Sequence, residues 1–86
     1  MAPEVEIYTW RTCPYCERAK ALLRKKGAEF KEFAVDGDES ARAKMAARAG
    51  GRTSVPQIFI GGVHVGGCDD LHALDSAGKL EPLLRP

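Results

Sequence analysis

The sequence has no excess of one sign of charge and no long apolar run. Thirteen Lys and Arg stand against twelve Asp and Glu, so the strong basic excess of nucleic-acid-binding domains is missing and we expect no nucleic-acid partner. Every apolar run is shorter than the roughly 18 residues that a membrane-spanning helix needs. The first residues, MAPEVEIY, lack the basic and apolar segments of a signal peptide. We therefore expect a cytoplasmic protein with no membrane partner.

Cysteine is also scarce. The three cysteines, Cys13, Cys16 and Cys68, are too few for the disulfide framework of a small secreted domain. In a reducing compartment, the close pair is expected to be catalytic or metal-binding rather than structural. With 86 residues the chain can form one hydrophobic core but not two, so we expect residues 1–86 to be a single domain.

The first half of the sequence predicts strands alternating with helices. Residues 4–10 alternate as a β-strand does. Residues 14–26 place their apolar side chains on one face of a helix, with Lys20 among the polar residues of the other face. A second strand follows, and then a helix that Asp38 or Ser40 would cap.

The second half predicts a hairpin and two further helices. Gly61-Gly62 separates two short apolar runs, 57–60 and 63–66, which is a strong signal for a two-residue β-hairpin. Leucines at helical spacing predict a helix after residue 68 and a short one at the C-terminal end. The order β-α-β-α-β-β-α plus this short helix predicts an α/β, thioredoxin-like fold, in which a central four-stranded mixed sheet has helices on both faces.

The segment Cys13-Pro14-Tyr15-Cys16 lies where the first strand gives way to the first helix. Proline favours the first helical position, so Pro14 places Cys13 at the N-cap. The Cys13 sulfur can then accept hydrogen bonds from the free N–H groups of Tyr15 and Cys16, at the positive end of the helix dipole, which stabilises the thiolate. Cys16 lies inside the first turn and has fewer donors. We predict that Cys13 attacks a disulfide and that Cys16 resolves the mixed disulfide.

Two other roles for the cysteine pair stay open on these grounds. A zinc site needs about four ligands, and the remaining candidates, Cys68, His64 and His72, are scattered over a hairpin and a helix. A structural disulfide is disfavoured by the expected reducing compartment. Redox chemistry is therefore the preferred interpretation, and no metal is expected.

Three segments together resemble the glutaredoxin family. CPYC at 13–16, TSVP at 53–56 and GGCDD at 66–70 occur in that family's order and spacing, and the resemblance covers essentially the whole chain. It implies a dithiol–disulfide oxidoreductase that uses glutathione as its reducing co-substrate. The expected substrates are glutathione mixed disulfides and disulfide-containing or glutathionylated proteins, with ribonucleotide reductase as one suggestion, and we expect a monomer.

The resemblance also implies a glutathione site beside the cysteines. A cis peptide before Pro56 would leave the Val55 backbone free to hydrogen-bond glutathione as an added strand would. The N–H groups after Gly66 would bind the γ-glutamyl carboxylate and Asp69 its ammonium, although Asp69 also suits a plain helix cap. The glycine carboxylate needs a cation, for which Arg42, Arg48 and Arg52 are the candidates. The implied glutathione-binding residues are Arg11, Tyr15, Arg42, Arg52, Ser54, Val55, Pro56, Gly67, Cys68 and Asp69.

One position departs from the family's pattern. Many glutaredoxins carry a lysine three residues before the first cysteine, where this chain has Trp10, followed by Arg11. Either Arg11 takes over the role of the lysine or glutathione binding is altered, which keeps open an electron donor reduced by thioredoxin reductase. An iron–sulfur carrier that binds a cluster through Cys13 and glutathione is a further alternative, disfavoured because cluster-binding members usually have a smaller residue than Pro14. We interpret Cys68 as a small residue beside the groove rather than a reactive thiol.

Overall fold

Strands and helices alternate along the chain as predicted. The computed structural model describes residues 3–85. Its elements are β1 (Val5–Thr9), α1 (Pro14–Lys25), β2 (Lys31–Ala34), α2 (Glu39–Arg48), β3 (Gln57–Ile60), β4 (Val63–Gly66), α3 (Cys68–Ser76) and α4 (Leu80–Leu84). Within residues 3–85 no helix has the length and apolar character needed to cross a membrane.

The four strands form one mixed sheet in the order β2-β1-β3-β4. The pair β1 and β2 is parallel and is connected through α1, whereas β3 is antiparallel to both β1 and β4. The hairpin between β3 and β4 turns at Gly61 and Gly62, whose φ angles of 58° and 81° suit the tight turn that this dipeptide predicts. The predicted thioredoxin-like fold is therefore confirmed.

Helices cover both faces of the sheet, and each face has its own hydrophobic core. One core joins β1 and β3 to α1, α3 and α4, and it includes Ile7, Leu23 and Leu71. The other joins the opposite face of the sheet to α2, and Tyr8 and Met45 belong to it. Because both faces are covered, Ile7 and Tyr8 are both buried although they point to opposite sides of β1.

The strand register brings the three sequence motifs to one end of the sheet. Tyr8, near the end of β1, is opposite Gln57 at the start of β3. Ile58 is in turn opposite Gly66 at the end of β4. The segment that leads to Cys13, the segment before β3 and the segment after β4 are therefore neighbours in space.

The helix starts that flank this end have identifiable caps. The N–H of Ala41 donates to Asp38 Oδ1 at 3.0 Å, so of the two predicted caps of α2 the structure uses Asp38 rather than Ser40. Cys13 is the N-cap of α1, and Pro14 takes the first helical position as predicted.

Candidate active site

Cys13 lies at the N-terminus of α1 with its sulfur turned back toward the helix. Its extended backbone (φ −138°, ψ 106°) is typical of an N-cap, and Cys13 Sγ accepts the N–H of Cys16 at 3.2 Å. Of the two predicted donors, Cys16 makes this bond, and Tyr15 makes none to the sulfur within residues 3–85. The residue is half-buried, so its sulfur is supported by the helix and still accessible.

Cys16 has the opposite environment. Its side chain is fully buried, and this burial, with a hydrogen bond to the Cys13 sulfur, raises the pKa of the Cys16 thiol to about 12. Both cysteines are free thiols. The pair thus combines one accessible sulfur at a helix N-terminus with one protected thiol, the asymmetry expected for a nucleophile and a resolving partner.

A cleft of about 190 Å³ lies beside the cysteine segment. It contains every predicted glutathione-binding residue except Arg11 and Arg42, together with one residue that was not predicted, Asp70. Its lining residues are Tyr15, Arg52, Ser54, Val55, Pro56, Gly67, Cys68, Asp69 and Asp70.

Residues 54–56 form one wall of this cleft. A buried side chain anchors Ser54, whereas the Val55 backbone has no hydrogen-bond partner in the described part of the chain. The Val55-Pro56 peptide is cis, as the resemblance implies. The buried Gln57 donates its Nε2 to the carbonyl oxygen and the hydroxyl of Ser54, at 3.0 and 3.3 Å, and its Oε1 lies 2.7 Å from His64 Nε2. Val55 lies outside β3, and its backbone makes no hydrogen bond within residues 3–85. Its N–H and carbonyl are therefore available to an extended ligand.

The opposite wall is the start of α3, where Asp70 acts as the cap. Asp70 Oδ2 accepts the N–H of Gly67 at 2.8 Å and lies 3.3 Å from Arg52 Nη1. The bond from Gly67, followed by Arg52, lowers the pKa of the Asp70 carboxyl. The capping role considered for Asp69 thus falls to Asp70, and Gly67 is no longer a free donor. Asp69 makes no hydrogen bond or ion pair within residues 3–85, so its carboxylate is available to a ligand.

The candidate arginines differ in what holds them. Arg48 pairs with Glu6, with 2.8 Å between Nη2 and Oε1, and does not line the cleft. Arg11 pairs with Asp36, with 3.3 Å between Nε and Oδ2, and its side chain is 86% exposed. The Arg42 guanidinium lies 5.2 Å from the centre of the Trp10 ring, a cation–π contact that explains its position. The structure therefore does not bring Arg11 or Arg42 to the cleft, and Arg52 is the predicted arginine that lines it.

Cys68 and Lys20 complete the surroundings of the pair. Burial, followed by the negative charge of Asp69, raises the pKa of the Cys68 thiol, which supports its interpretation as an unreactive residue. Lys20 was predicted on the polar face of α1 but is only 8% exposed, because its Nζ reaches Glu32 of β2 at 3.0 Å. Its sequence position gave no signal of this, since Glu32 approaches only when β2 pairs with β1.

Comparisons with known proteins agree with this geometry. The family model described as Glutaredoxin matches residues 5–65. A probable glutaredoxin from Synechocystis sp. is 62% identical over 84 residues, which cover 98% of this chain and 96% of that protein. The solution structure of glutaredoxin from Brucella melitensis has a TM-score of 0.85 at 57% identity and covers 98% of this chain and 90% of that chain.

A crystal structure of a buckwheat glutaredoxin–glutathione complex matches with a TM-score of 0.87 at 32% identity, covering 95% of this chain and 76% of that chain. The fold, the cysteine pair and the sequence identity all point the same way. This chain belongs to the glutaredoxin family and is a thiol–disulfide oxidoreductase.

Proposed function

We propose that this glutaredoxin uses glutathione to reduce protein disulfides and glutathione mixed disulfides, with Cys13 as the nucleophile and Cys16 as the resolving thiol. The observation that supports this assignment is the asymmetry of the pair. Cys13 Sγ accepts an N–H bond of 3.2 Å at the start of a helix, where a thiolate is favoured by the orphan donors and the dipole. Cys16 is fully buried and has its pKa raised to about 12, so it is a poor first attacker.

The reaction divides into two thiol–disulfide exchanges. The Cys13 thiolate attacks one sulfur of a substrate disulfide, a bond from Cys13 Sγ to that sulfur forms, and the other substrate sulfur leaves as a thiolate that takes up a proton. Cys16 then attacks Cys13 Sγ, which releases the reduced substrate and leaves the Cys13–Cys16 disulfide. Two glutathione molecules return the pair to the dithiol and become glutathione disulfide. When the substrate is a glutathione mixed disulfide, Cys13 takes the glutathionyl group. A free glutathione then attacks the glutathione sulfur of that mixed disulfide, which releases the Cys13 thiolate and glutathione disulfide, so Cys16 is not required.

Glutathione is proposed to bind in the cleft beside Cys13 as an added strand. The unpaired Val55 backbone suits the peptide-like centre of glutathione. The free carboxylate of Asp69 suits the γ-glutamyl ammonium, and the N–H groups of Cys68 and Asp69, in the first turn of α3, suit the γ-glutamyl carboxylate. Arg52 supplies a cation for a glutathione carboxylate. The glutathione held by the buckwheat glutaredoxin supports this choice of ligand.

The physiological setting is proposed on the resemblance alone. We infer that the protein works as a monomer in the cytoplasm, on disulfide-containing or glutathionylated proteins, with ribonucleotide reductase as a candidate. The exposed Tyr15 ring, 55% accessible beside the first cysteine, offers apolar contact to such a protein substrate.

The assignment is tested by steady-state reduction of a small glutathione mixed disulfide in the presence of glutathione. We expect Cys13→Ser to be inactive and Cys16→Ser to keep its activity, because only Cys13 is needed for this substrate. With a protein disulfide as substrate, both variants should lose activity, since resolution needs Cys16. A Cys13→Ser variant that kept full activity would refute the role of Cys13. A wild type that is inert toward glutathione but reduced by thioredoxin reductase would refute the glutathione site.

A further inference from the structure

An ionic cluster around a buried lysine holds α1 against the parallel pair of strands. The Lys20 side chain is 10% exposed, and its Nζ lies 2.6 Å from Glu17 Oε2 and 3.0 Å from Glu32 Oε2. The buried Thr9 at the end of β1 donates its hydroxyl to the same Glu32 oxygen at 2.7 Å. An ammonium that could have extended to solvent on an exposed helix face is thus held inside the protein by two carboxylates, one of which Thr9 holds in place.

The cluster lies one helical turn from the buried cysteine. Cys16 and Lys20 are four residues apart on α1 and both are buried, so they are neighbours on one face of the helix, with about 5–6 Å between their Cβ atoms. Burial raises the pKa of the Cys16 thiol and the adjacent Cys13 sulfur raises it further, whereas a hydrogen bond from the Trp10 backbone and then the positive charge of Lys20 lower it. The ammonium is therefore the nearby side-chain charge that favours the Cys16 thiolate.

The groups that face this pair from other elements keep the ammonium charged. Hydrogen bonds that Lys20 donates to Glu17 and then to Glu32 raise the pKa of Lys20, so it stays protonated throughout the neutral range. Glu32 stays ionised because its bonds to Thr9 and Lys20 lower its pKa. Arg24 adds a positive charge near Glu32.

On α3, which packs against α1, the titratable group that responds to charges on α1 and at its N-cap is the Cys68 thiol. It lies within the electrostatic range of the Cys13 sulfur and the Arg18 guanidinium, and Asp69 acts on it from its own helix. None of these α3 groups brings a positive charge to Cys16. Among the described residues 3–85, Lys20 is therefore the positive side chain that acts on Cys16, beside the Trp10 backbone hydrogen bond.

We propose that Lys20 is a positioning residue for the resolving step: its ammonium, held by Glu17 and Glu32, stabilises the Cys16 thiolate that attacks the mixed disulfide on Cys13. This inference rests on the proposed function. In the step, Cys16 gives up its proton, its sulfur bonds to Cys13 Sγ, the bond from Cys13 Sγ to the substrate sulfur breaks, and the departing thiolate takes the proton. No electrons are exchanged with any other group.

The size of the effect follows from two opposing consequences of a higher thiol pKa. If loss of the Lys20 charge reduces the thiolate fraction of Cys16 about tenfold, the remaining thiolate becomes about threefold more nucleophilic, because the Brønsted coefficient is about 0.4–0.5. Resolution should then slow about threefold. Attack by Cys13 does not use the Cys16 thiolate, so its rate should change much less when the Lys20 charge is lost.

The two steps can be separated with 5,5′-dithiobis(2-nitrobenzoate) as the disulfide. Cys13 attack releases one coloured thionitrobenzoate, and Cys16 attack on the resulting mixed disulfide releases the second, so stopped-flow absorbance records two phases. The wild type is compared with Lys20→Met, which removes the charge, and Lys20→Arg, which keeps it. Lys25→Met, an exposed change in the same helix, is the matched control.

The expected result is a fall of about threefold in the ratio of the second rate constant to the first for Lys20→Met. Lys20→Arg and Lys25→Met should keep the wild-type ratio. The inference is overturned if Lys20→Met keeps that ratio, if it slows both phases equally, or if Lys20→Arg is as slow as Lys20→Met. A wild type that releases only one thionitrobenzoate per protein would instead refute Cys16 as the resolving thiol, and with it the proposed function on which this inference depends.

Discussion

Gly66 ends β4, just before α3, and its replacement by alanine should disrupt the N-terminal cap of that helix. Gly66 has a φ of +120°, and a Cβ built there would meet the Asp70 carboxylate, 2.7 Å from its Cγ and 2.9 Å from its Cβ. The alanine therefore has to adopt a strained backbone and to push Asp70 away from the Gly67 N–H. Backbone strain of this kind costs about 1–3 kcal/mol, and loss of a helix cap costs about 1 kcal/mol.

The expected loss in the free energy of unfolding is therefore about 2–4 kcal/mol for Gly66→Ala. In a domain of this length each kcal/mol corresponds to about 4–8 °C in Tm. Gly37→Ala is the matched control, because Gly37 has a φ of +75° with no atom within 4 Å of the added Cβ. Gly37→Ala introduces backbone strain without a steric clash, so it should lower the free energy of unfolding by only about 1–2 kcal/mol.

A double-mutant cycle identifies the mechanism. Asp70→Ala alone should cost about 1 kcal/mol through the lost cap, and Gly66→Ala already loses the same cap. The double variant should therefore be more stable than the sum of the single effects implies, by about 1 kcal/mol. Urea unfolding followed by far-ultraviolet circular dichroism measures all four proteins. Effects that add within about 0.5 kcal/mol, or a Gly66→Ala no worse than Gly37→Ala, would refute the reasoning.

Two further predictions concern the same wall of the cleft. Because the pKa of Asp70 is lowered in the folded state, its contribution to stability is complete above the unfolded-state value of about 3.9 and is lost as the pH falls below it. The stability difference between wild type and Asp70→Asn, measured by urea unfolding, should shrink below about pH 4, and a difference independent of pH would contradict this. Arg52→Gln should raise the KM for glutathione about fivefold, as expected for about 1 kcal/mol. Arg42→Gln removes the guanidinium that lies over Trp10 and should leave the KM for glutathione unchanged. If Arg42→Gln raised this KM and Arg52→Gln did not, the carboxylate would be bound by Arg42 instead.

The element order was predictable because its signals are local. Pro14 after Cys13 marks the start of α1, and Gly61-Gly62 marks the hairpin whatever the rest of the chain does. The family resemblance added the cis peptide before Pro56, which has no local signal in the sequence. The start of α1 and the hairpin depend on a few consecutive residues, so one sequence contains what is needed to predict them.

The features that escaped prediction depend on partners distant in sequence or on the placement of a helix start. Lys20 is buried because Glu32 reaches it from β2, a contact that exists only in the folded sheet. Between the adjacent Asp69 and Asp70, the cap is decided by whether α3 starts at residue 68, which makes Asp70 the third helical residue, or at residue 70, which would make Asp69 the N-cap. Arg11 was a plausible partner for glutathione in sequence, but the ion pair with Asp36 holds it outside the cleft.

The way the three motif segments meet at one end of the sheet also determines when the site can exist during folding. The hairpin of β3 and β4 joins residues close in sequence, whereas Tyr8 pairs with Gln57 from the far half of the chain. Contacts between such distant segments carry a larger loop-closure cost and limit the folding rate. Val55 and Gly67 can thus come together before Cys13 joins them. The nucleophile acquires its binding groove only when β1 is in place, so a newly made chain has reactive thiols before it has any means of selecting their partner.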